Sequence, residues 1–448
     1  MNDESVEVTA LVAPTFAAAV RYWLKLGCVS FGGPAGQIAL MHEDLVVRRR
    51  WISERRFLHA LNYCMVLPGP EAQQLATYIG WLMHRTAGGL AAGGLFVLPS
   101  LLVLIALSWI YFAFGTVPAV AGIFYGIKPA VTAIVALAAW RIGSRTLTNA
   151  WLWTIAAAAF VAIFVFATPF PLIVLAAGLV GAIAGRVAPD RFTARSAHGK
   201  AAGGSGPAVI DDDTPTPPHA RFDRARLVRV VLAFGVLWSG TMAALVAVFG
   251  WDTTPTRMAW FFTKAAFLTF GGAYAVLPYV YQGAVEHFGW LTAPQMIDGL
   301  ALGETTPGPL IMVVAFVGYA GGWSQAVLGG QALFLSGVLA ACVATFFTFL
   351  PSFLFILVGG PLIESTHGNV KLTAPLTAIT AAVVGVIVNL AVFFAGHVLW
   401  PQGFPGAFEA PAALIGLVAA LALFRFKVGV IPVVLASGIA GLLVRSLA

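Results

Sequence analysis

Two lysines stand at matching places in apolar stretches. Lys25 and Lys264 each precede a Phe-Gly-Gly tripeptide by six residues (Phe31-Gly32-Gly33 and Phe270-Gly271-Gly272). A lysine at membrane depth is costly and usually functional, and two of them could neutralise a doubly charged anion. The plainer reading is that each long side chain snorkels to the interface. Beside the lysines are four glycine or proline breaks: Gly32-Gly33-Pro34, Pro68-Gly69-Pro70, Gly271-Gly272 and Pro307-Gly308-Pro309. A helix that starts at such a break presents free N–H groups and about half a positive charge, which suits an anion. Pro34, Pro70 and Pro309 occupy the position proline prefers at a helix start, whereas Ala273 stands where the match to Pro34 falls. The alternative is that these are kinks at tight helix packing.

Polar residues cluster at the same breaks. Ser30, Gln37, Gln73 and Gln74 lie in the first set, and Thr269, Tyr274, Thr305 and Thr306 in the second. Hydroxyls and amides can donate to an oxyanion. Glu71 and Glu304 cannot when ionised, but a carboxyl group buried in hydrocarbon can carry a proton, so both are proton-coupling candidates. Glu71 could also be a first-turn acid that stabilises its own helix. The expected substrate-binding set is Lys25, Ser30, Gly32, Gly33, Gln37, Gly69, Gln73, Gln74, Lys264, Thr269, Gly271, Gly272, Thr305, Thr306 and Gly308. No catalytic set, metal or cofactor is expected. Cys28, Cys64 and Cys342 are widely spaced in apolar surroundings, and the histidines lack ligand spacing.

The elements that hold these residues follow from composition. Of 448 residues, 60% are hydrophobic and only 10% charged, against about 25% charged in a soluble domain. Mean hydropathy is +0.90. This excludes a soluble enzyme and a disordered chain. Long apolar runs rather than alternating strands argue for an all-α, polytopic integral membrane protein over a barrel. Residues 1–7 are acidic and polar, unlike a cleaved signal peptide. The net charge of +7 does not indicate a nucleic-acid partner, because the cationic residues concentrate in a few loops, as the positive-inside rule describes.

One polar stretch, 186–229, is rich in arginine, Gly-Ser and proline and has the composition of a disordered cytoplasmic linker. It divides the chain into a membrane half at 1–190, a linker at 191–226, and a linking helix with a second half at 227–448. The halves match at an offset of 239 residues. Lys25 meets Lys264, Phe31-Gly32-Gly33 meets Phe270-Gly271-Gly272, Trp51 meets Trp290, and Pro68-Gly69-Pro70 meets Pro307-Gly308-Pro309. Farther on, with gaps, Leu98-Pro99-Ser100 meets Leu350-Pro351-Ser352.

Charge sets their orientation. The window 41–57 holds Arg48, Arg49, Arg50, Arg55 and Arg56, and its counterpart 280–296 holds no lysine or arginine. The halves are therefore expected to be inverted repeats. Segments 92–113, 117–140, 150–167 and 171–186 read as crossings. Segments 15–31, 34–48, 53–67 and 70–84 are marginal for a full span and read as broken, re-entrant hairpins.

The motifs Ser30-Phe-Gly-Gly-Pro-Ala-Gly-Gln-Ile38, Leu67-Pro-Gly-Pro-Glu-Ala-Gln-Gln-Leu-Ala-Thr-Tyr-Ile-Gly80 and Phe96-Val-Leu-Pro-Ser100 resemble the chromate ion transporter family, ChrA type. Thr269-Phe-Gly-Gly272 and Thr306-Pro-Gly-Pro309 resemble the second domain of its long, two-domain members, although the second half lacks Glu-Ala-Gln-Gln after Pro309. The resemblance implies chromate efflux across the bacterial inner membrane, driven by the proton motive force and giving chromate resistance. Its partners would then be chromate, protons and the lipid bilayer. Chromate is an oxidant, so Cys28 and Cys64 are worth testing if they face the pore. A general carrier of sulfate-like oxyanions and a channel remain alternatives. So does a membrane-embedded lipid-pyrophosphate phosphatase, although no Ser or Arg follows Pro70. The oligomeric state stays open, a homodimer among the options.

Overall fold

A computed structural model describes residues 13–31, 33–187, 207–215, 217–270, 272–366 and 373–447. The described residues are helical nearly throughout. The first half comprises α1 (Phe16–Val29), α2 (Gly33–His42), α3 (Glu54–Val66), α4 (Glu71–Phe114), α5 (Pro118–Thr146), α6 (Ala150–Phe166) and α7 (Phe170–Val187). The linking helix α8 (Arg224–Phe249) leads to the second half. That half comprises α9 (Thr254–Leu268), α10 (Ala273–Tyr281), α11 (Ala293–Thr305), α12 (Val313–Ser324), α13 (Leu333–Thr366), α14 (Thr373–Leu399), α15 (Ala410–Phe424) and α16 (Val430–Leu447). Among the described residues six helices are long and apolar enough to cross a membrane, and α6, α7, α12 and α15 are shorter apolar helices.

The duplication is visible in local detail. The π-helical turns Glu43–Arg48 and Gln282–His287 coincide at the 239-residue offset, as do α3 and α11. Ser53 caps α3 by accepting from the Arg56 amide, and its counterpart Thr292 caps α11 through Gln295. The Trp51 amide donates to Leu45, and the Trp290 amide to Ala284, both at 2.8 Å. Arg49 stacks over Tyr22 and Trp51, which brings the middle of α1 level with the end of the π turn.

The segment at 70–84 does not stand apart from the crossing at 92–113. Both belong to α4, whose 44 residues would reach about 66 Å if straight. Non-helical backbone at His84 and Arg85 folds it back on itself. Glycines line the seam: a Cβ on Gly88 would lie 2.2 Å from the Gly80 carbonyl oxygen. In the second half α12 and α13 make the same antiparallel pair. There a Cβ on Gly322 would lie 2.2 Å from the Ser336 carbonyl oxygen.

The halves exchange partners reciprocally. α5 packs on α15 and α16, while its counterpart α14 packs on α6 and α7. α5 and α14 also pack on each other, as do α4 and α13. Swapping the halves preserves this pattern, as two inverted repeats about a pseudo-two-fold axis require. Small residues permit the closest crossing. A Cβ on Gly126 of α5 would meet the Ser437 carbonyl of α16 at 1.9 Å.

The linker has an ordered portion despite its composition. Val209 and Ile210 donate to the Arg50 and Trp51 carbonyls at 2.9 and 3.0 Å, and the Ser53 amide returns a bond to Ile210 at 2.9 Å. Ser53 Oγ donates to Asp212. His219 bonds the Trp81 carbonyl at 2.9 Å. Residues 188–206 lie outside the described residues.

Candidate functional site

The breaks meet, and they meet across the halves. The Gly69 amide donates to the Thr269 carbonyl at 2.7 Å, and the Gly308 amide to the Ser30 carbonyl at 2.8 Å. The break glycines Gly33, Gly69, Gly272 and Gly308 have φ of 72°, 128°, 97° and 102°. These values explain why glycine recurs there at the repeat offset. Gln37 Nε2 donates to the Gly308 carbonyl and, at 3.3 Å, to that of Ser30. Gln74 Nε2 donates to the Pro68 carbonyl at 2.7 Å, and Gln73 Nε2 to Thr77 at 3.0 Å. Glu71 Oε1 lies 4.0 Å from the place a Cβ would take on Gly272, so the start of α4 abuts the start of α10. Among the described residues no side chain caps the helix starts after Pro70, Gly272 or Pro309. Gly32 and Gly271 lie outside the described residues.

The expected hydroxyls are engaged by their own helices. Ser30 donates to Leu26, Thr269 to Ala265, Thr305 to Ala301 and Thr306 to Leu302, each to a carbonyl four residues back. Tyr274 donates to Glu304, which is buried and within electrostatic range of Arg141. The lysines are on outward faces of their helices. Lys25 is on the exposed face of α1. Lys264 is on the exposed face of α9, 5.7 Å over the Trp260 ring. Lys264 lines a cavity of about 1140 Å³ against α8, together with Trp238, Trp260 and His287. Cys64 is buried, whereas Cys28 and Cys342 are exposed. Among the described residues no cluster of three His, Cys, Asp or Glu could hold a metal ion.

Sequence reasoning missed two groups of residues. The first is a pair of partly buried ionic clusters joining the halves. At the arginine-bearing end, Arg56 of α3 pairs with Glu364 of α13 at 3.5 Å, while Tyr78 donates to Glu364 and Arg56 to the Thr214 carbonyl of the linker. At the other end, Lys128 of α5 pairs with Asp298 of α11 at 3.4 Å, and Tyr111 of α4 donates to Asp298 at 2.8 Å. Each ties the helix before a Pro-Gly-Pro break to a long helix of the other half. Lys128 and Asp298 in apolar segments were a readable signal. The second group is Ser100 and Ser352, both 1% exposed, whose hydroxyls have no partner among the described residues. Their recurrence after Leu-Pro was visible as a repeat but not as a site.

The chromate transporter family model matches residues 17–182 and 256–442. A chromate transport protein of Pseudomonas aeruginosa is 34% identical over 94% of this chain and 91% of its own length. One from Cupriavidus metallidurans is 29% identical over 93% and 90%. A probable chromate transport protein of Synechococcus elongatus is 29% identical over 90% and 89%. No solved structure matches the chain significantly. With both halves matched and the breaks joined across them, the chain belongs to the chromate transporter family, in its long two-domain form, as a multi-pass transporter of the bacterial inner membrane rather than an enzyme.

Proposed function

We propose that this protein carries the chromate dianion out of the cytoplasm by alternating access, coupled to the proton motive force. The observation that carries the reading is the reciprocal pair of bonds Gly69–Thr269 and Gly308–Ser30. They join the broken helices of both halves where an inverted-repeat carrier has its central site. Helix starts without side-chain caps supply donors for an anion there. Glu71 at the start of α4 and Glu304 near the end of α11 supply carboxyl groups for protons on either side of the breaks. The Arg56–Glu364 and Lys128–Asp298 pairs suit a carrier that closes each end in turn.

Inside-out vesicles bearing the protein test this. Energised vesicles should accumulate labelled chromate, and a protonophore should abolish the accumulation. Uptake that ignores the protonophore would remove proton coupling. Uptake of labelled sulfate without chromate would move the substrate to a broader oxyanion class.

A further inference from the structure

The hydroxyls of Ser100 and Ser352 are set apart from the others around the breaks. A helical serine ordinarily returns its proton to the carbonyl four residues back. Ser30, Thr269, Thr305, Thr306 and Thr348 all do so. Ser100 and Ser352 do not, although both are 1% exposed. An unpaired buried hydroxyl costs free energy and calls for an explanation; of the six among the described residues, Ser100 and Ser352 are the pair that recurs across the halves. Both follow a proline inside a long helix, and both belong to the repeated Leu-Pro-Ser.

Each serine faces a break of the other half. A Cβ on Gly69 would lie 2.6 Å from Ser352 Oγ, and one on Gly308 would lie 3.2 Å from Ser100 Oγ and 2.8 Å from its Cβ. Each break glycine is followed by a proline and then by a helical turn without a side-chain cap. The arrangement is reciprocal, like the Gly69–Thr269 and Gly308–Ser30 bonds. Thus each half-helix start has beside it one buried hydroxyl with a proton to give, and that hydroxyl comes from the other half.

Resting on the carrier reading above, we propose that Ser100 and Ser352 are the hydroxyl donors of one composite site for a tetrahedral, doubly charged oxyanion, each half lending its serine to the other half's break. A fully ionised oxyanion offers acceptors only, so it requires donors, and hydroxyls next to helix N-termini meet that requirement. The site is incomplete in either half alone.

The test compares the full chain with Ser100→Ala, Ser352→Ala and the double variant. Vesicle uptake of labelled chromate is measured alongside thermal unfolding of the purified protein with and without potassium chromate or sodium sulfate. Without anion, the variants should melt at or above the wild-type temperature, because each loses an unpaired buried hydroxyl. KM for chromate should rise about tenfold in each single variant, the order expected for one hydrogen bond to a charged group, and further in the double. The stabilisation by added anion should shrink in parallel.

Wild-type KM and wild-type anion stabilisation in both single variants would overturn the proposal. So would a lowered melting temperature without anion in both, which would make the serines structural. If the wild type transports neither anion but is stabilised by one, and the variants lose that stabilisation, the serine site stands and the carrier reading fails. If the wild type transports and the variants match it, the carrier reading stands and the serine site fails.

Discussion

The amide of Gly69, in the first half, donates to the carbonyl of Thr269, in the second, at 2.7 Å. Exchanging the halves turns this bond into the one from Gly308 to Ser30. Backbone groups freed by the Pro-Gly-Pro breaks are thereby satisfied by the carbonyls that the Gly-Gly breaks leave exposed. Irregular backbone is tolerable at membrane depth only when such partners exist. Each half thus supplies what the other half's interrupted helices lack.

Gly69→Ala and Gly308→Ala should both destabilise the protein. Each glycine has a φ that strains an L side chain, and the added Cβ would lie 2.6 Å from Ser352 Oγ in one case and 2.8 Å from Ser100 Cβ in the other. A cost of about 1–3 kcal/mol from the backbone alone is expected. Thermal unfolding in detergent reads it. Wild-type melting in both would mean that the breaks are not tightly joined.

Lys128→Met should destabilise by roughly 3 kcal/mol or more, because it leaves Asp298 buried without its counter-charge. Adding Asp298→Asn should recover a substantial part of the loss, since no buried charge then remains. The double-mutant cycle measured by unfolding checks this. Additive losses would show that the pair is uncoupled.

The sequence made the duplication and its inversion legible, because both are written in residue types. The glycines are tied to their φ, and the arginines at 48–56 have no lysine or arginine as counterpart at 287–295. The Gly-Gly and Pro-Gly-Pro breaks were legible for the same reason. The serine pair was harder to read. Ser100 and Ser352 are 252 residues apart rather than 239, so a gapless alignment separates them, and whether a hydroxyl is already engaged depends on three-dimensional neighbours. The same limit applies to Lys25 and Lys264. Their spacing recurs, but the face of the helix that turns outward is decided by packing against α4 and α13. The linker misled through composition: Gly, Pro and Asp suggested disorder, yet backbone bonds at 209–210 need no particular side chain.

Glu71→Gln and Glu304→Gln should each separate transport from the proton gradient. The amide keeps the size and polarity of the side chain but cannot release a proton. Energised uptake of chromate should fall to the level seen with a protonophore, whereas exchange of internal for external chromate should persist. Tyr274→Phe should weaken energised uptake in the same direction, because the phenol donates to Glu304. If both glutamine variants still concentrate chromate, neither carboxyl carries the coupling proton.

Docking of the linker should weaken in acid. Burial holds the His219 imidazole below its ordinary pKa, with Arg85 and Arg226 adding to the lowering, against the opposing pull of its bond to Trp81. The docked state therefore prefers the neutral ring. A released linker takes up a proton near the ordinary histidine value of about 6.5, while the docked one does so only at lower pH. The contribution to docking is complete above that value and is lost as pH falls through it towards the lowered one. Amide exchange at Val209 and Ile210, corrected for intrinsic rates, should be faster at about pH 5.5 than at about pH 7.5. His219→Gln retains an N–H donor for the Trp81 carbonyl but does not titrate, so it should remove most of this difference. An unchanged pH dependence in that variant would assign it to another group on the arginine-bearing face.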